Sequence, residues 1–224
     1  MLTLALDTTA GFGSIALVRS SEVIAEVLIH APEGFSGILF GEIDTLLARE
    51  GVALRDIDLF AAASGPGSFT GVRIGLAAIK GLAETLGKPA IPISNLEALS
   101  RFGTSDLRAT VIDARRGEVF AALYSAQGPV IPEQVVGFPR FLELLGDSDF
   151  EWISADLAPF LPALTGTRFE SMPVTTAPRA LAAVIAEIAA ERMAHGETGD
   201  PAVIEANYVR RSDAELLWRE PALP

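Results

Sequence analysis

The sequence predicts an α/β protein built in two halves. Three observations carry that expectation. Residues 2–18 read as strand, aspartate, turn, strand; residues 109–124 repeat that pattern; and apolar strands elsewhere alternate with segments of helical periodicity. Taken in order, residues 2–7, 14–18 and 23–29 are three short strands joined by turn-rich TTAGFG and RSSE, an antiparallel meander. Residues 36–50 make a helix that Gly51 can end, and the buried strand 59–63 leads into the loop SGPGSFTG. A second helix covers 72–86, followed by strand 90–93 and a short helix 96–101. The second half has strands at 109–113, 119–124 and 130–136, a helix at 140–145, a strand at 152–154 and a long helix at 178–195. Ser212 with Glu215 three residues on is a capping-box pattern for a short terminal helix. The division expected is 1–103 plus 206–224 for one subdomain and 104–205 for a smaller one.

Composition narrows the function classes. Half of the 224 residues are hydrophobic and mean hydropathy is +0.37, yet no apolar run reaches the roughly 18 residues that a spanning helix needs. The apolar excess without a membrane segment points to a partner surface, and the cysteine-free composition fits the reducing compartment of a cytoplasmic protein. There is no cysteine, which removes disulfides, thiolate nucleophiles and cysteine-bound zinc. With 17 basic against 29 acidic residues the net charge is −12, the wrong sign for autonomous nucleic-acid binding.

The catalytic inventory is thin. His30 and His195 stand far apart, without paired-histidine spacing, and no metal site is expected. Ser68 lies in PGSFT, not in a GxSxG elbow. Trp152 and Trp218 read as packing residues. GFGSIA, residues 11–16, loosely fits a dinucleotide fingerprint, but it precedes a strand where that motif must open a helix. GPGSFTGVRIG, residues 65–75, demands special backbone geometry: an anion-facing loop or a tight turn at a subunit seam, or simply a strand-to-helix connector. It does not have Walker A spacing. Asp7 and Asp113 each end a first strand before a hairpin. Such turns cup phosphates in actin-like and sugar-kinase ATPases, while a carboxylate capping its own turn is the plainer account and the favoured one for Asp7. The plain account of Arg115-Arg116 is a solvated turn rather than an anion contact.

The two helices of the first half are unusual. On the second, Val72, Leu76, Ile79, Ala83 and Leu86 form a core face, Arg73, Lys80 and Glu84 a polar strip, and Ile74, Ala77, Ala78, Gly81 and Thr85 a third, small face. Gly75 and Gly81 each cost about 1 kcal/mol against alanine inside a helix. On the first, Gly37, Gly41 and Ala48 lie opposite Leu39, Ile43 and Leu46. Spare small-residue faces suggest packing against another chain rather than on both sides within one fold. The candidate interface is Gly37, Gly41, Ala48, Gly71, Ile74, Gly75, Ala78 and Gly81.

ALDTTAGFGSIAL (5–17), SGPGSFTGVRIGLAAIKGLA (64–83), DARRGEVFAAL (113–123) and ANYVRRSDAE (206–215) resemble, in order, the signature segments of the TsaB (YeaZ) family. Where the family opens its first helix with a His-Ser pair, this sequence reads GFSGILF, with only Ser36 retained. The resemblance implies an actin-like ATPase (ribonuclease H-like) fold in two subdomains with mixed sheets. It implies a non-catalytic subunit that pairs through its first two helices with the paralogue TsaD, the metal-bearing transferase that modifies the adenosine beside the anticodon of tRNA. It also implies TsaE as a further member of the complex, a homodimer when the chain is alone, and at most a weak ATP or ADP site at the subunit interface. Asp7, Gly11, Gly13 and Asp113 are then the vestige of a nucleotide site. The alternative in another class is an actin-fold ATPase or kinase-like enzyme. A peptidase is disfavoured, since neither metal ligands nor a nucleophile motif is present.

Overall fold

The structure, a computed structural model, describes residues 1–209. Strands β1 (Leu2–Asp7), β2 (Phe12–Arg19) and β3 (Glu22–His30) form the expected antiparallel meander, with Leu6 opposite Ile15 and Ile15 opposite Val27. Helix α1 (Leu39–Arg49), strand β4 (Leu59–Gly65), helix α2 (Phe69–Leu86), strand β5 (Ala90–Ser94) and helix α3 (Asn95–Ser100) complete the first half. β4 and β5 add in parallel beyond β1, giving a mixed sheet in the order β3-β2-β1-β4-β5.

The second half repeats this plan. β6 (Arg108–Arg115), β7 (Glu118–Ser125) and β8 (Gly128–Gly137) form a second meander, followed by α4 (Phe138–Leu145), β9 (Glu151–Ser154), the one-turn α5 (Leu161–Leu164) and β10 (Val174–Thr176). The order β8-β7-β6-β9-β10 matches the first sheet strand for strand, and Asp113 lies two residues from the end of β6 where Asp7 ends β1. The long helix α6 (Ala182–Ala194) closes the pattern.

Side chains alternate across β1, so the two faces of the first sheet bury different residues. Leu4, Leu6, Ile15, Leu17 and Phe60 face α1 and α2. Ala5, Ala16, Ala61 and Ala63 face α6, whose own Ala182, Ala186 and Ala189 allow close approach. The helix that the sequence assigned to the second subdomain therefore belongs, by packing, with the first sheet. Its start is fixed there too: it begins at Ala182 rather than at residue 178, where the Ser14 hydroxyl on β2 accepts from the N–H groups of Leu181 (3.0 Å) and Ala182 (2.9 Å). The second sheet buries Trp152, Phe138 and Phe141 under α4 and turns Phe120, Ala122 and Tyr124 toward Leu96 of α3, which bridges the halves.

Other differences are local. α1 begins at Leu39 rather than 36, because residues 36–38 turn before the helix closes. α2 begins three residues early because Ser68 caps it, accepting from Gly71 N–H at 3.3 Å, and Gly87 (φ 61°) ends it. α5 and β10 had no legible periodicity. Trp218 and the Ser212–Glu215 cap lie outside the described residues.

Candidate functional site

The turn after β1 is closed on itself. Asp7 is 3 % exposed. Its Oδ1 accepts from Thr9 N–H (2.9 Å) and the Thr9 hydroxyl (2.7 Å). Asn95, 88 residues away at the start of α3, gives its amide to Thr9 Oγ1 (2.9 Å) and approaches Asp7 Oδ2 (3.5 Å), while its own Oδ1 receives Gly65 N–H (3.1 Å). Burial pushes the Asp7 carboxyl upward, against the pull of the Thr9 and Asn95 hydrogen bonds. The loop from β4 to α2 lies over the turn: Ser68 N–H donates to Thr9 O at 2.7 Å, and a Cβ on Gly67 would stand 2.6 Å from that oxygen.

This geometry fits the self-capping role of Asp7, whose Oδ1 and Thr9 partner are satisfied within the chain. Gly13 is likewise pressed on its own chain, with a Cβ position 2.5 Å from the Phe35 ring. Gly11 alone of the four residues is open. Asp113 takes Arg115 N–H (2.8 Å) and pairs with the Arg115 guanidinium at 3.2 Å, an Asx turn at an exposed hairpin. Among the described residues no three His, Asp or Glu side chains gather as metal ligands; His30 stacks on Phe12 at 4.4 Å, and His195 sits against Glu191 O.

The small residues of α2 divide into two sets. Gly71 and Gly75 are buried, and what approaches them is the chain's own β1 turn: a Cβ would stand 2.0 Å from Thr8 O at Gly71 and 2.6 Å from Thr8 Oγ1 at Gly75. The Thr8 hydroxyl donates to Gly71 O at 2.7 Å, so β1 and α2 meet backbone to backbone. Ala78, 6 % exposed, is inside as well. These three do not belong to an outward face, contrary to the sequence reading; the close approach that the glycines require is internal.

The second set is outward. Gly81, Ala77 and Thr85 are exposed and Ile74 is half-buried, while Gly37, Gly41, Thr45 and Ala48 are exposed on and just before α1. A Cβ on Gly37, Gly41 or Gly81 would meet nothing within 4 Å. The Thr45 hydroxyl donates to Gly41 O (2.8 Å) and the Thr85 hydroxyl to Gly81 O (2.7 Å). Each hydroxyl is spent on its own helix, leaving methyl groups and bare backbone facing out. Phe40 on α1 (55 % exposed) and Phe69 at the start of α2 (43 %) are exposed as well; the Arg73 guanidinium lies 3.6 Å over the Phe69 ring and its Nε donates to Tyr208 OH at 2.9 Å.

A protein-family model described as "TsaD: tRNA N6-adenosine threonylcarbamoyltransferase" matches residues 30–204. The Bacillus subtilis tRNA threonylcarbamoyladenosine biosynthesis protein TsaB is 36 % identical over 155 residues, 66 % of this chain and 68 % of that protein. The chain belongs to the TsaD-like family, and within it to the TsaB (YeaZ) group. The Escherichia coli TsaB is 38 % identical over 128 residues, 55 % of each chain, so the chain spans only about half the length of some TsaB relatives. A solved YeaZ from Pseudomonas aeruginosa superposes with a TM-score of 0.74 at 25 % identity, covering 92 % of this chain and 99 % of that one. The wider fold is that of actin-like ATPases: an activator of 2-hydroxyisocaproyl-CoA dehydratase from Clostridium difficile, solved with ADPNP, shares it at a TM-score of 0.53 and 11 % identity over 87 % of this chain and 96 % of that one.

Asn95, Thr8, Thr9 and Tyr208 carry much of this geometry and were not singled out from sequence. Asn95 merely precedes the helix expected at 96–101, and its partners Asp7 and Thr9 are nearly ninety residues away.

Proposed function

We propose that this chain is a non-catalytic subunit of tRNA threonylcarbamoyladenosine biosynthesis that docks a TsaD-type transferase through the outward sides of α1 and α2. The observation that carries this is the pair of exposed helix glycines, Gly41 and Gly81, each with a threonine four residues on whose hydroxyl is folded back onto the glycine carbonyl. A helix interior that gives up about 1 kcal/mol per glycine while facing solvent has its compensation outside the chain. Gly37, Ala48 and Ile74 extend the same surface. The pathway is that named for the TsaB relatives, and TsaE joins through the assembled pair. The isolated chain pairs with a second copy through this surface, and the complex works in the cytoplasm. The net charge of −12 leaves tRNA contact to the partner. The closed hydrogen bonding of Asp7 supports a subunit without its own nucleotide hydrolysis.

Co-purification with TsaD from the same cell tests the reading. Gly81→Leu and Gly41→Leu point into open space, so the isolated chain melts no lower and keeps its helical signal while recovery with TsaD falls at least tenfold. Undiminished recovery of both variants overturns it.

A further inference from the structure

Residues 204–209 run from the first core to the seam between the halves and touch both sheets on the way. Ile204 is buried among the residues of α1, α2 and β1, with Ala206 packed beside it. Asn207 N–H donates to Ser64 O at 2.8 Å, where β4 enters the GPGSFTG loop, and Asn207 O lies 3.3 Å from the Cβ position of Gly65. Tyr208 OH receives Arg73 Nε from α2. On its other side Asn207 gives its amide to Glu133 on β8 of the second sheet, and the second oxygen of that carboxylate receives the Tyr124 hydroxyl from β7. Val209 then packs with Leu96, Phe120 and Tyr124 between the sheets.

We infer that residues 204–209 are a strap that couples the second sheet to the β4–α2 loop, with Glu133 as the positioning residue that pins it. The Glu133 carboxylate holds a donor from each side of the seam: Asn207, fixed to Ser64, and Tyr124, fixed in β7. A hydrogen bond to a charged group contributes more than a neutral one, so a single carboxylate is enough to set the position of the strap. Motion of the second half is thereby transmitted to the loop that starts α2, and this holds whether or not α2 docks a partner.

Amide hydrogen exchange on the isolated full-length chain tests the coupling. Glu133→Ala lies on the edge strand β8 of the second sheet, yet it speeds exchange about tenfold in residues 64–73. Asn207→Ala does the same, and the double variant adds nothing to either single change. Glu133→Gln, which keeps an acceptor for Asn207, restores slow exchange. Faster exchange confined to β7 and β8 in Glu133→Ala overturns the inference, as does additivity of the two alanine variants; if Glu133→Ala does not fold, unchanged exchange at 64–73 in Asn207→Ala overturns it alone.

Discussion

Alanine placed at Gly71, Gly75 or Gly81 of the same helix has opposite consequences, and the sign is set by what each Cβ meets. At Gly81 there is nothing within 4 Å, so the change removes the flexibility cost of glycine and stabilises by about 1 kcal/mol. At Gly75 the same gain of about 1 kcal/mol meets Thr8 Oγ1 at 2.6 Å. Thr8 is 1 % exposed, so its displaced hydroxyl loses Gly71 O and finds no water; a buried unpaired group costs about 1–3 kcal/mol and overpacking a similar amount. The net loss is about 1–5 kcal/mol. At Gly71 the obstacle is the Thr8 carbonyl at 2.0 Å, a backbone atom that cannot rotate aside, and the loss reaches about 3 kcal/mol or more. For a chain of this size each kcal/mol moves the melting temperature by roughly 2–4 °C, so Gly71→Ala and Gly81→Ala separate by about 8 °C or more. Urea denaturation at low protein concentration, where association of copies does not contribute, measures all three. A neutral or stabilising Gly71→Ala, or a destabilising Gly81→Ala, refutes the division of α2 into an inner and an outer small face.

Asp7→Ala strands the Thr9 and Asn95 donors and costs about 1–3 kcal/mol by denaturation; on the proposed function, an ATPase assay gives no turnover with either the parent chain or the variant. Because burial raises the Asp7 carboxyl in the folded chain, the stability it lends is fullest below its ordinary value of 3.8 and falls as pH rises through the folded value; the penalty of Asp7→Ala therefore shrinks between acid and neutral pH. Glu151 is the mirror case. Burial pushes it up, but the Thr175 hydroxyl and the N–H groups of Ser105 (2.9 Å) and Thr104 (2.8 Å) outweigh that and hold it below its ordinary value of 4.5, so Glu151→Gln is less stable at pH 7 and the difference vanishes as pH falls below the lowered value. Trp152, fully buried among Phe138, Phe141 and Phe150, loses about 3–5 kcal/mol on change to alanine in the same assay. Filter binding of purified chain to tRNA shows no tight, salt-sensitive retention.

The order of elements and the duplication were legible because each strand is a short apolar run bounded by turn residues and each half starts with the same strand–Asp–hairpin. The small stripe of α2 was legible as an anomaly but not as two stripes. Gly71, Gly75 and Ala78 stand four and three residues apart beside Val72, Leu76 and Ile79, so periodicity alone leaves them next to the core without saying that Thr8 fills the space against them. Position in the chain hid the rest. Asn95 meets Asp7 across 88 residues, Ser14 caps α6 across 167, and Glu133 meets Asn207 across 74. Helical periodicity identified α6 correctly, yet nothing within residues 178–195 announces that its alanines match those of β1, β2 and β4 rather than the nearer second sheet.

That return of α6 bears on how the molecule can be cut. Although the strand plan is duplicated, a fragment ending at residue 103 would leave Ala5, Ala16, Ala61 and Ile91 without their cover, and a fragment beginning there would carry a helix whose apolar side has lost its bed. The two halves are copies in design but not in self-sufficiency. Separately expressed pieces would regain native structure only by mutual complementation, as one mixed molecule reassembled from two chains.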